Sequence, residues 1–171
     1  MAKILSSQKK SARVVLFLLA IHLVPARAGT ERDRGIPIGP DPRLTPGALC
    51  RDGRSHRYPE RILYCDRAVD HEDRVQIVFA YNSAGYRIDP KKHKEFKIDH
   101  LIPLCVGGSN DHENLWPQHE SIYEITDPLE PAICEKMFEG RLKQKEAVEL
   151  VIRGKRHLSE VRRIMHYLDT L

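Results

Sequence analysis

An acid and an imidazole stand next to each other at Asp99 and His100, inside the run IDHLIPLCVGGSNDHENLWPQH from Ile98 to His119. An imidazole can move a proton near neutral pH, because its unperturbed pKa is about 6.5. A carboxylate offers the hard oxygen that a magnesium- or manganese-like ion prefers. Together they would suit hydrolysis of a phosphodiester, which needs a deprotonated water, an in-line approach and positive charge on the phosphate. Successive strand residues point to opposite faces, so Asp99 and His100 share a face only across a bulge. In a regular strand a metal would be approached from one side and the substrate from the other. Residue type and spacing alone do not select this reaction.

The surrounding motif is more specific. Asp99 to Leu104 reads DHLIPL, Gly107 to Asp111 reads GGSND, and Asn114 to Gln118 reads NLWPQ, in that order. This combination resembles the HNH endonucleases, and among them a group of small exported bacterial proteins. The likeness is close from Ile98 to Gln118 and loose from Tyr58 to Arg156. It implies an α+β fold with a ββα-metal core, in which a hairpin and a helix surround one divalent cation. It also implies a metal-dependent endonuclease acting on nucleic acid, DNA in preference to RNA. In that reading His100 is the general base, Asp99 a metal ligand, and Asn114 the amide that braces the hairpin behind the histidine. Magnesium or manganese is expected for ligation by oxygen with one histidine, whereas two or more histidines would favour zinc.

The sequence departs from the family pattern at the third metal position, where the helical ligand falls on Tyr123, a poor donor. His119 is the nearest imidazole and is favoured for that place. Glu120 and Asp127 are oxygen alternatives, and His112 is a further candidate in the turn. The gap keeps a second reading open, a secreted, non-catalytic metal- or nucleic-acid-binding module on the same scaffold. Trp116, the only tryptophan, reads as core beside Leu115 and Pro117 rather than as a stacking platform for a base.

A hairpin must position these groups. One strand carries Asp99 and His100, the chain turns through Gly107-Gly108-Ser109-Asn110, and Asn114 to Pro117 returns. The glycine pair reads as turn geometry needing positive φ, since no βαβ context makes it a phosphate cradle. Upstream, Arg61 to Cys65 has the composition of a short strand. Asp70 should cap a helix from about His71 to Tyr81, with Val75, Val78 and Phe79 at helical spacing and a stop at Asn82 to Gly85. Tyr86 to Pro90 reads as loop or edge strand, and His71 and His93 as surface residues. Downstream, Glu120 to Thr126 offers a turn or two of helix, and a helical pattern runs from Glu130 to about Arg153 with Gly140 as a blemish or a break. A last helix is expected from about Ser159 to Leu168.

The chain has 171 residues, enough for one ordinary domain. Lys9, Lys10 and Arg13 precede the apolar run Val14 to Val24, and Ala26-Arg27-Ala28 follows, the layout of a secretory signal over residues 1–28. That run is too short for a stable membrane anchor. Without the segment, Lys plus Arg falls from 28 to 23 while the acids stay at 24, so the formal net charge moves from +4 to −1. Overall basicity is therefore no argument for nucleic-acid binding. Two local clusters remain, Lys91, Lys92, Lys94 and Lys97, and Lys155, Arg156, Arg162 and Arg163, which could neutralise phosphates or form solvated faces. Residues 29–48, rich in Gly, Pro and charge, read as a flexible lead-in to a nuclease domain over 49–171. Four cysteines in an exported chain point to two disulfides in the periplasm or beyond. Of three pairings, Cys50 with Cys65 and Cys105 with Cys134 are favoured; a cysteine zinc site is the weaker rival, because no two cysteines sit two to four residues apart.

Overall fold

The structure, a computed structural model, describes residues 34–92 and 94–171, so the segment read as a secretory signal and His93 lie outside the described residues. The described chain is α+β, with two small antiparallel sheets and five α-helices. Strand β1 (Ser55–Arg57) pairs with β2 (Ile62–Tyr64), and helix α1 (His71–Ser83) follows. Strand β3 (Phe96–His100) pairs with β4 (Leu115–His119), which runs directly into α2 (Glu120–Thr126). Helices α3 (Leu129–Phe138), α4 (Gln144–Arg156) and α5 (Val161–Thr170) complete the chain.

Local chemistry explains the main boundaries. Asp70 and Asp73 form a reciprocal capping box that starts α1. The helical pattern after Glu130 is two helices, because Gly140 takes a φ of 72° and ends α3. Strand β1 carried no sequence signal, since all three of its residues are polar and exposed. Tyr86 to Pro90 forms no strand, and a 3-10 turn starts at Pro90. Among the described residues, no helix is long and apolar enough to cross a membrane.

Two apolar cores meet at the hairpin. The first joins α3, α4 and α5 through residues such as Leu129, Ile133, Val151 and Ile164, and takes in Leu101 and Ile102 just after β3. The second packs Ile77 and Tyr81 of α1 against Ile98, Leu115 and Trp116 of the hairpin and Ile122 of α2. The end of β3 therefore lies where the cores join. The disulfides follow the favoured pairing. Cys50–Cys65 clips the segment before β1 to the end of β2, and Cys105–Cys134 ties the hairpin loop to α3.

The lead-in is not loose over its described part. Asp41 is buried and accepts from Arg34 and Arg43, while the Arg34 amide donates to the Gly85 carbonyl. Thr45 is also buried; its hydroxyl donates to the Leu115 carbonyl and lies 2.8 Å from the Tyr81 hydroxyl. The segment is held by polar contacts rather than apolar burial, so its composition resembled that of a free linker.

Candidate functional site

The register of the hairpin sets the faces. Asp99 lies opposite Trp116, His100 opposite Leu115 and Phe96 opposite His119, with continuous pairing and no bulge. Alternation then places Asp99 on one face with Lys97, Trp116 and Gln118, and His100 on the other with Phe96, Ile98 and His119. Asp99 and His100 thus serve different sides of the sheet.

His100 is buried and held at both ring nitrogens. Its Nε2 lies 3.1 Å from Asn110 Oδ1 and its Nδ1 lies 3.4 Å from a guanidinium nitrogen of Arg67. The orientation of the Asn110 amide follows from its other partners. Its Nδ2 donates to the Asp66 carbonyl at 2.8 Å, and its Oδ1 accepts the Ala68 amide at 3.1 Å. Oδ1 can only accept, so Nε2 carries the proton and the neutral ring keeps its lone pair on Nδ1. Burial pushes the imidazole below its ordinary pKa, helped by the charges of Arg67 and Lys155 and opposed by Asn110 and Asp99. The ring is thus a neutral base whose accepting nitrogen faces Arg67. Arg67 is exposed, and its other guanidinium nitrogen donates to the Ile98 carbonyl at 3.1 Å.

Asn114 secures the loop that follows. It is fully buried; its Oδ1 accepts the Ile102 amide, and its Nδ2 donates to the carbonyls of Ile102 and Ser109. Its backbone carbonyl also accepts the Leu101 amide. Gly107 has φ 87°, as a turn requires, but Gly108 serves a different need, since a Cβ there would collide with the Ile102 backbone and crowd the Asn114 amide.

On the opposite face, Asp99 meets a lysine. The Lys155 ammonium donates to Asp99 Oδ2 at 2.6 Å and to the His100 carbonyl at 2.6 Å, with only 2% of its side chain exposed. Gly154 lets α4 pack closely on α3, as a Cβ there would lie 2.5 Å from Leu129 Cδ1. Lys97 pairs with both oxygens of Asp127 at 2.7 Å and lies over the Tyr123 ring. Burial holds the nearby Glu130 carboxyl above its ordinary pKa, with Lys155 opposing and Asp99 adding to the shift.

The remaining sequence candidates lie apart from Asp99. His119 is on the other face, where its Nδ1 accepts the Ser121 amide as the N-cap of α2 and its ring packs edge-on against Phe96. His112 pairs with Asp73 at 2.9 Å and ties the loop to the start of α1. Trp116 is fully buried in the second core. The C-terminal basic cluster is not one surface, since Lys155 is buried at Asp99, Arg156 donates to the Thr45 and Pro46 carbonyls, and Arg163 pairs with Glu160. An apolar hollow of about 520 Å³ lies on the His100 side, lined by Val75, Phe79, Phe96 and Ile98 among others, beside the histidine rather than at it.

The donor set does not fit a divalent ion as it stands. Asp99 Oδ2 already holds an ammonium, and His119 faces away. Among the described residues, the one group bringing three candidate ligand atoms together is Cys50, Asp52 and Cys65, whose sulfurs form a disulfide. Asn110, Arg67 and Lys155 were not singled out as site residues from the sequence. Asn110 lay within the motif but read as a turn residue. No protein-family model, curated protein or solved structure matches this chain.

Proposed function

We propose that this chain is an exported endonuclease of the HNH type, hydrolysing phosphodiester bonds of nucleic acid, DNA in preference to RNA, with His100 as general base. The observation that carries the reading is the hold on His100, with Nε2–H tied to Asn110 and the Nδ1 lone pair turned toward an exposed guanidinium. A phosphodiester drawn to Arg67 would bring its phosphorus near that nitrogen, because a guanidinium matches phosphate oxygens in a two-pronged geometry. As Arg67 turns from Nδ1 to the phosphate, a water takes its place on that nitrogen; the water oxygen bonds to phosphorus as His100 takes its proton. The bond to the leaving ester oxygen breaks, and solvent protonates that oxygen. Strands β3 and β4 with α2 are read as the hairpin and helix of a ββα core. The magnesium or manganese that the resemblance implies finds no matching donor set here, and no step is routed through it. The secretory layout of residues 1–28 and the two disulfides support export.

The unassembled ligand set favours a second reading, a binding module that does not catalyse. Cleavage of supercoiled plasmid by the chain from Gly29, with a His100→Ala control and with or without magnesium, manganese or zinc, separates the two. Nicking that disappears in the variant supports the nuclease. Binding of nucleic acid without cleavage under every condition supports the module.

A further inference from the structure

We infer that the Lys155 ammonium is the resident cation of the Asp99 face, standing where the resemblance calls for a divalent metal, and that Asp99 therefore takes no such metal in this chain. The ammonium is within hydrogen-bond distance of the carboxylate that would be the first ligand and of the carbonyl that follows it in the strand. A buried lysine is stable only when paired. An ion coordinated by Asp99 would compete with Lys155 for the carboxylate and leave the ammonium confined beside a second cation.

Surrounding residues offer the ion little compensation, since the nearby Glu130 carboxyl is itself held above its ordinary pKa by burial, which favours its neutral form. The hairpin residues sharing the face with Asp99 are Lys97, Trp116 and Gln118, none of them anionic. The Asp127 carboxylate is matched to Lys97 just as Asp99 is matched to Lys155. The Lys155 pair also fixes the backbone at His100, the anchoring that a metal would otherwise provide through Asp99. Positive charge for the phosphate then falls to Arg67 on the other face. That consequence rests on the nuclease reading, whereas the occupancy of Asp99 does not.

The test is titration of the exported protein with manganese, followed by calorimetry and by the paramagnetic signal of the free ion, for wild type, Asp99→Asn, Lys155→Met and Lys155→Met with Asp99→Asn. Wild type should bind no manganese that Asp99→Asn abolishes. Lys155→Met should gain a site that the double variant loses. If Lys155→Met does not fold, the comparison of wild type with Asp99→Asn still decides. One manganese, magnesium or zinc bound by wild type and lost in Asp99→Asn overturns the inference. If plasmid is cleaved, a chelator should change the wild-type rate by less than about twofold, where an enzyme activating water on a metal loses nearly all of it. Cleavage abolished by chelation and restored by metal overturns the inference too. Absence of cleavage throughout withdraws the nuclease reading alone, and the titration decides the role of Lys155.

Discussion

Asn110 Oδ1 lies 3.1 Å from His100 Nε2 and also accepts the Ala68 amide, so one side-chain oxygen sets both the tautomer and the direction of the ring. Asn110→Ala removes that hold without touching Asp99. If His100 is the base of the proposed nuclease, loss of such an orienting partner should cost about 10- to 100-fold in plasmid nicking rate. The melting temperature would be measured alongside, and a rate loss within twofold of wild type at unchanged stability would show that the tautomer does not matter.

The pH profile follows from the same ring. Burial favours the neutral imidazole, so its pKa in the folded chain lies below the ordinary value. The rate should therefore rise with pH at acid values and be flat above about pH 6.5, the unperturbed histidine pKa. Stability responds in the same window. The unfolded chain takes up the proton first as pH falls, so the contribution is complete above about pH 6.5, the unfolded value, and declines from there toward the folded pKa. Thermal melts of wild type and His100→Gln between about pH 5 and 8 check this, with the histidine-dependent slope absent from the variant.

His119 offers a test of ligation against capping. Its Nδ1 caps α2 and its ring packs on Phe96. His119→Ala should lower stability by about 1 kcal/mol, the ordinary cost of losing an N-cap. Nicking by the folded fraction should stay within about threefold of wild type. A far larger loss that added metal restores would instead make His119 a ligand, and denaturant melts beside rates at several manganese concentrations distinguish the outcomes.

How much was legible depended on the distance over which each contact forms. The hairpin and α1 could be read from neighbouring residues, because caps, turns and alternation are local, while Gly140 left a blemish or a break equally open. Asp99 and His100 stood out because they are adjacent within a dense motif. Their partners were hidden by separation, with Asn110 10 residues from His100, Arg67 33 from it, and Lys155 56 from Asp99. Lys155 was the hardest to read. It lies within the basic last turn of α4, with Arg153 and Arg156, which has the composition of a solvated face, yet tertiary packing buries it.

The packed lead-in has a consequence in acid. Hydrogen bonds from Arg43 hold the Asp41 carboxyl down at about 2 from its ordinary 3.8, against burial that acts the other way. A depressed carboxylate contributes stability that is present above its unfolded pKa and lost as pH falls through the folded one. The contribution is about 2 kcal/mol, disappearing between about pH 4 and 2. Denaturant melts across that range should show a shallower acid limb for Asp41→Asn than for wild type. Equal limbs would mean that residues 34–47 detach before the domain unfolds.

Gly108 gives the sharpest prediction about the loop beneath the histidine. A Cβ there would meet the carbonyl of Ile102 and come within 2.9 Å of the Asn114 amide nitrogen. Backbone cannot yield as a flexible side chain does, so Gly108→Ala must displace the Ile102 peptide, the Asn114 brace or both. Buried hydrogen bonds at Ile102 and Ser109 would be lost or lengthened together. The expected cost is about 2 to 4 kcal/mol, since each such group left unsatisfied costs on the order of 1 to 3. Gly35→Ala provides the contrast, because its φ of 63° is positive, as that of Gly108 is not, while nothing stands within 4 Å of its Cβ. If denaturant melts show a loss for Gly108→Ala no larger than that for Gly35→Ala, the loop accommodates the added Cβ without breaking the Asn114 brace.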